Sequence, residues 1–250
     1  FGDSEKLELD AARRQPDSGM ARWCVAGILR VRFLDHANSS DENERRQGTR
    51  DAEKLICELQ AVLACQDACD FTDPLTVRVY MAEALLYLDK DAEARAAIAA
   101  ALPPPGPLPA WRETGRLFRD LPETRRQRVK STYLQQSVAK AYLLLGHISL
   151  RQSAAAATAE ARISCARDAV LRADQSLAVH PLQDEALLLK GKALIRAAYL
   201  LADDGAMAEA RKEYEAAKTI LSNLAASSPQ ADAARRILDN VPPPVPGLRP

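Results

Sequence analysis

Small and apolar side chains recur at helical spacing between residues 79 and 102, on both sides of a short polar turn at 89–91. Ala82 lies before the turn, and Ala94, Ile98 and Ala101 follow it at intervals of four and three residues. Such intervals place side chains on one face of an α-helix. The pattern therefore predicts two antiparallel helices that approach closely, because small residues face each other.

This order of residues resembles the tetratricopeptide repeat (TPR), in which a small residue is followed twelve positions later by an alanine. Similar phases recur around 139–176 and 191–217, where the intervals grow to 30 and 19 residues and predict longer helices. Hairpins of this kind must stack to bury their apolar faces. The predicted fold is an all-α, TPR-like α-solenoid of stacked antiparallel helical hairpins, two of them with lengthened helices.

Changes in composition divide the chain into four predicted regions. They are N-terminal hairpins at 1–102, with a degenerate repeat at 18–66 and a well-formed repeat at 74–102; a proline-rich and then basic linker at 103–130; C-terminal repeats at 131–240 with an extended hairpin and a capping helix; and a proline-rich tail at 241–250. Within the first region, the polar stretch 36–49 predicts an exposed loop, and Asp51 is expected to cap the helix that follows. The first residue is Phe rather than Met, which indicates a segment of a longer chain.

The charges of the chain balance, with 34 basic and 34 acidic side chains. Proteins that bind nucleic acids or anionic membranes usually depend on a basic excess. No apolar run approaches the length that crosses a bilayer, and no secretory signal is visible. We therefore expect protein partners, either other subunits or a helical or extended peptide segment, and no membrane. A nucleic-acid partner is an alternative that the charge balance disfavours.

Five cysteines occur without the spacing of a disulfide framework, which favours reduced thiols. Cys65 and Cys69 fall on one helical face beside Asp70, so a metal site is an alternative to ordinary buried thiols. Ordinary buried thiols are preferred because no histidine is near and zinc usually takes two cysteines that are separated by two other residues. The chain also has no phosphate-binding glycine loop and no nucleophile motif. We expect no enzymatic activity, no metal and no cofactor.

TPR arrays usually bind ligands on the concave surface that their first helices form, so the resemblance implies a partner groove. The residues that it assigns to this groove are Val79, Glu83, Leu86, Gln136, Lys140, Leu143, Leu188, Lys192 and Ile195. The apolar members would anchor a peptide segment, unless they belong to the core. A chaperone-type carboxylate clamp is not expected, because Tyr80, Ser137 and Leu189 stand where that subset has asparagine.

A second candidate surface is basic and lies at the end of the predicted linker. It consists of Arg125, Arg126, Arg128 and Lys130. Such a cluster could bind RNA or an acidic partner, and binding to RNA would weaken steeply with salt. The preferred interpretation is a solvated connector with one short helix near 111–121.

Two segments are similar to the TPR subunit of the cytoplasmic Not-scaffold deadenylase complex: Y-M-A-E-A-L-L-Y-L-D-K-D-A-E-A at 80–94 and S-T-Y-L-Q-Q-S-V-A-K-A-Y-L-L-L-G at 131–146. The long hairpin that begins in the second segment departs from that family. The resemblance implies a non-catalytic scaffold or adaptor in mRNA decay, located in the reducing cytoplasm. The alternatives are an RNA-associated helical-repeat protein and an architectural subunit of an organellar complex such as a ribosome, and a location in an organelle matrix stays open.

Overall fold

The computed structural model of the chain describes residues 6, 10, 14–15, 17–37, 39–65, 72–102, 123–180 and 183–244, without the side chains of 123–134. All regular secondary structure in these ranges is helical. The helices are α1 (Gly19–Ala37), α2 (Glu42–Ala64), α3 (Pro74–Tyr87), α4 (Asp91–Ala99), α5 (Glu123–Ala155), α6 (Ala159–Val179), α7 (Asp184–Asp203), α8 (Met207–Ser227) and α9 (Ala231–Asn240). The predicted all-α fold of helical hairpins is confirmed.

Side-chain acceptors determine where three of these helices begin. Asp41 accepts a hydrogen bond of 2.7 Å from the second backbone N–H of α2, and Asp73 accepts one of 2.8 Å at the same position of α3. Pro74 follows Asp73 at the first helical position, where its missing N–H leaves no hydrogen bond unmade. Thr158 accepts a hydrogen bond of 3.2 Å from the third N–H of α6. These side chains satisfy backbone donors that have no partner inside the helix.

The predicted loop at 36–49 is wrong for most of its length, because α2 already begins at Glu42. Asp51 therefore does not cap a helix. It lies inside α2 with 2% of its surface exposed, where its Oδ1 accepts a 2.9 Å hydrogen bond from Gln47 Nε2 and its Oδ2 lies 3.2 Å from His36 Nδ1. The polar sequence looked solvent-exposed, but this part of α2 packs on α1 and buries the carboxylate with polar partners.

The chain divides into two compact units, Phe1–Ser137 and Val138–Pro250. The predicted regions have other boundaries and stay a prediction. Helix α5 begins at Glu123, inside the segment assigned to the linker. The proline-rich stretch 103–109 and the short helix near 111–121 lie outside the described residues.

In the first unit, α1 packs on α2, α2 on α3 and α3 on α4. Large buried side chains from three of these helices form its core: Phe33, Leu55, Leu59 and Ile98. A turn joins α3 to α4 where the sequence predicted one. Its Asp89 has a φ of 56°, in the left-handed region that Asp tolerates better than most residues do.

In the second unit, the helices again pack in chain order, α6 on α7, α7 on α8 and α8 on α9. Hydrogen bonds link α5 to α6: Ser149 Oγ donates to Asp168 Oδ2 at 2.5 Å, and Ser176 Oγ donates to the carbonyl of Ala139 at 2.7 Å. The four helices α5 to α8 have 33, 21, 20 and 21 residues, so the prediction of two lengthened hairpins is confirmed.

One glycine marks the close approach of two helices in this unit. A Cβ atom at Gly191 on α7 would lie 2.7 Å from Leu221 Cδ2 and 2.8 Å from Leu221 Cγ on α8. Real Cβ atoms almost never lie this close to another atom, so Leu221 would have to move if a larger residue replaced Gly191. The small-residue positions of the sequence pattern thus correspond to a real steric constraint between the two helices.

Candidate functional site

Helices α5 and α7 are the first helices of two successive hairpins, and both expose charged side chains in the second unit. Lys140, His147 and Arg151 on α5 follow one another at intervals of seven and four residues, as do Glu185, Lys192 and Arg196 on α7. These intervals keep each set on one side of its helix. We call these six residues the α5–α7 face.

Two contacts between the helices join the ends of this face. Lys140 Nζ lies 3.3 Å from Glu185 Oε2, and Arg196 Nη2 donates a hydrogen bond of 3.5 Å to the carbonyl of Ser153. The Nε atom of Arg196 is buried and has no hydrogen-bond partner among the described residues. A buried donor without an acceptor is costly.

His147 lies between cations at the centre of the face. The pKa of His147 is lowered from 6.5 to about 4, chiefly by burial and then by the positive charges of Lys192 and Lys140. Glu185 acts in the opposite direction, and Arg151 adds to the lowering. The imidazole is therefore neutral at pH 7. Four cations and one carboxylate remain on the face.

The apolar residues of the predicted partner groove in this unit are buried. Leu143 is 1% exposed and packs among residues of α6 and α7, while Leu188 and Ile195 are each 9% exposed. Lys192 is exposed and Lys140 is partly exposed. A partner that approaches this surface therefore meets charged side chains first, although the groove itself stays a prediction.

In the first unit too, the apolar residues of the predicted groove are buried and its polar residues are at least partly exposed. Val79 and Leu86 on α3 are buried, with exposed fractions of 2% and 7%. Gln136 on α5 is exposed. Glu83 is partly exposed, and its Oε2 lies 2.8 Å from Arg30 Nη2 on α1. The exposed members of the predicted set are thus again its polar ones.

An aromatic cluster in the first unit was not predicted from the sequence. The rings of Trp23 on α1 and Tyr80 on α3 stack with 5.5 Å between their centroids, and the guanidinium carbon of Arg30 lies 4.1 Å from the Tyr80 centroid. Because Arg30 also pairs with Glu83, this cluster ties α1 to α3. The sequence contained one indication of this cluster, since Trp23 and Arg30 are seven residues apart and therefore share one face of a helix.

The remaining predicted chemistry lies largely outside the described side chains. Arg125, Arg126, Arg128 and Lys130 belong to α5, but their side chains are not described, so the basic surface stays a prediction. Cys69 also lies outside the described residues, and the thiol of Cys65 donates to the carbonyl of Ala61 at 3.2 Å. Among the side chains that are described, no cluster of three or more His, Cys, Asp or Glu residues is suited to hold a metal ion.

Comparison with known proteins gives one family. The sequence model of the "plant specific mitochondrial import receptor subunit TOM20" matches residues 119–244. No curated protein and no solved structure matches the chain. The matched range contains all of α5 to α9 and therefore the whole α5–α7 face.

This match corrects several predictions. The cytoplasmic location is wrong, because the family is that of a mitochondrial receptor. The resemblance to the deadenylase subunit and the role in mRNA decay are not supported. A TPR-like helical family, a protein-binding role and the absence of enzymatic activity are compatible with the match. The alternative prediction, a subunit of an organellar complex, agrees better with the family match than the main prediction does.

The prediction that no membrane is involved is not supported either, because import into mitochondria takes place at a membrane. In the described ranges, no helix combines the length and the apolar character of a bilayer-spanning segment. The family match extends over 126 of the 250 residues, just over half of the chain. The chain belongs to the family of the plant-specific mitochondrial import receptor subunit TOM20.

Proposed function

We propose that the protein is a receptor subunit of a mitochondrial protein-import assembly and binds precursor proteins at the outer membrane. The observation that carries this proposal is the family match over 119–244, which covers every helix from α5 onward. A stack of helical hairpins suits this role, because it presents extended surfaces to protein segments.

We further propose that the α5–α7 face contacts an acidic segment of another subunit of the import assembly rather than the targeting peptide. Mitochondrial targeting peptides are rich in arginine and poor in acidic residues. The cations Lys140, Lys192 and Arg196 would repel such a peptide, and they would attract carboxylates.

The receptor role is tested with the purified chain and a mitochondrial precursor whose targeting segment carries a photo-crosslinker. The same precursor without that segment is the control. We expect crosslinks to the intact precursor and at least tenfold fewer to the control. Equal crosslinking of both proteins would refute the receptor role.

The role of the face is tested separately by reversing two of its charges, in the variant Lys140→Glu with Lys192→Glu. The matched control reverses two exposed lysines of α8, Lys212 and Lys218. After affinity purification from mitochondria, we expect the face variant to lose import subunits that the wild type and the control retain. Retention of those subunits by all three proteins would refute docking on the face, while the crosslinking result would still decide the receptor role.

A further inference from the structure

The chain continues beyond α9 as an extended segment with the sequence Val-Pro-Pro-Pro, residues 241–244, which we call the tail segment. Each of its first three residues precedes a proline, which disfavours helical backbone there, and each proline fixes its own φ at about −65°. Together these restrictions favour the polyproline II conformation, which has no internal hydrogen bonds. The carbonyl oxygens of the tail segment are therefore free to accept hydrogen bonds from water or from other parts of the protein.

Two tyrosine side chains donate such hydrogen bonds. The hydroxyl of Tyr199 on α7 donates to the carbonyl of Pro242, and the hydroxyl of Tyr214 on α8 donates to the carbonyl of Val241 at 3.0 Å. Val241 also packs against the apolar cluster that contains Tyr199, and Pro244 is buried. The tail segment is thus held by apolar contact and by hydrogen bonds.

The placement of the two donors fits an extended segment. Val241 has an extended backbone, with a φ of −116° and a ψ of 95°. Successive carbonyls of an extended segment point in different directions, so a single donor cannot reach both. Tyr199 and Tyr214 lie on the two helices of one hairpin and reach the segment from different positions. Two aromatic side chains that bond the carbonyls of a proline-rich segment also form the kind of site that proline-recognition domains use.

Both hydroxyls keep their protons over the physiological range. Burial raises the pKa of Tyr199 above its usual 10, and the neighbouring Tyr214 adds to the increase. Burial and the charge of Glu215 raise the pKa of Tyr214 as well. A phenol with a raised pKa remains a donor up to and above pH 10, so the two hydrogen bonds persist at every pH that cells reach.

We propose that Tyr199, Tyr214 and the end of α9 form a binding site for proline-rich segments, and that a proline-rich segment of a partner protein binds there in exchange for the tail segment. The tail segment is attached directly to α9, so its effective concentration at the site is of the order of millimolar. A partner must compete with the tail segment, so the chain itself limits access to the site. This inference is independent of the proposed role in import.

The test uses a fluorescent peptide with the sequence of residues 241–250 and measures its fluorescence anisotropy with the complete chain. A variant with alanine at Pro242, Pro243 and Pro244 removes the internal competitor. We expect this tail variant to bind the peptide at least tenfold more tightly than the wild type does. A peptide in which the prolines are alanine should not bind. Equal binding of the two peptides, or equal affinity of the tail variant and the wild type, would overturn the proposal.

A second pair of variants tests the donors while the chain keeps its aromatic rings. In the tail variant, Tyr199→Phe with Tyr214→Phe should weaken peptide binding about thirtyfold, since two hydrogen bonds are lost. Tyr142→Phe on α5 is the matched control and should leave the affinity unchanged. Unchanged affinity in the double variant would refute the role of the hydroxyls.

The proposal also remains testable if the tail variant does not fold. In the wild-type chain, millimolar peptide should then shift the NMR methyl signals of Val241 to their solvent-exposed positions. No shift at saturating peptide would contradict the exchange.

Discussion

The close approach of α7 and α8 leads to a prediction in which two effects of opposite sign compete at Gly191. Alanine is the better helix former by about 1 kcal/mol, so Gly191→Ala would stabilise an isolated helix. In the folded protein, however, the new methyl group would lie 2.7 Å from Leu221 Cδ2 and 2.8 Å from Leu221 Cγ. Leu221 has no exposed surface, so its whole side chain would have to move within a packed core.

The magnitude follows from these two terms. Insertion of a methyl group into a packed core costs about 1–3 kcal/mol, and the short distance to the branch atom Cγ points to the upper part of that range. After the gain in helix propensity is subtracted, we expect Gly191→Ala to lower the free energy of unfolding by about 1–2 kcal/mol. The midpoint of thermal unfolding should fall by about 2–8 °C for a chain of this size.

The assay is thermal unfolding followed by circular dichroism at 222 nm, with Gly27→Ala on α1 as the matched control. Gly27 is helical and exposed, and a Cβ there would have no atom within 4 Å, so this change should raise the midpoint. In a double-mutant cycle, Gly191→Ala should cost less when Leu221 is already alanine. The reasoning would be refuted if Gly191→Ala stabilised the chain as much as Gly27→Ala does.

Three further predictions concern single side chains. Asp51→Ala should reduce the free energy of unfolding in urea by about 1–3 kcal/mol, because the partly buried Gln47 and His36 lose their hydrogen-bond partner. Asp41→Ala should remove only the α2 cap, at a cost of about 1 kcal/mol. By NMR, His147 should remain neutral from pH 8 to pH 5 and titrate near pH 4. Because its folded pKa lies below its unfolded value, its contribution to stability should be present above pH 6.5 and be lost as the pH falls. Titration near pH 6.5 would refute this prediction. Arg30→Gln should lower the thermal midpoint more than a substitution of an exposed arginine does, since it removes both an ion pair and a contact with an aromatic ring; equal effects would contradict that role.

The α5–α7 face and the tyrosine pair place two different recognition chemistries in the second unit. The face carries exposed cations and one carboxylate, so ionic strength should control its contacts. The tyrosine pair donates neutral hydrogen bonds to carbonyls and should be insensitive to salt. A salt titration therefore separates binding at the two sites.

The sequence by itself determined the class of fold and the arrangement of hairpins. Helical periodicity, polar turns and the spacing of small residues are local properties, and they predicted the hairpins from α3 onward. They missed the start of α5, which begins at Glu123 inside the segment assigned to the linker. The constraint at Gly191 was also visible as a position in the repeat pattern. Local signals suffice here because each hairpin packs mainly on its neighbours in the chain.

Tertiary structure decided which side chains meet. Asp51 was expected to cap a helix, but the packing of α2 on α1 places it in a buried polar cluster, and no local pattern distinguishes these two roles. Leu143 and Ile195 of the predicted groove are buried, and the groove stays a prediction. A shift of one residue in helical phase moves a side chain from the surface to the core, so the sequence could not determine their burial. The bonds from Tyr199 and Tyr214 to the tail segment join residues 43 and 27 positions apart, so only the folded chain brings them together.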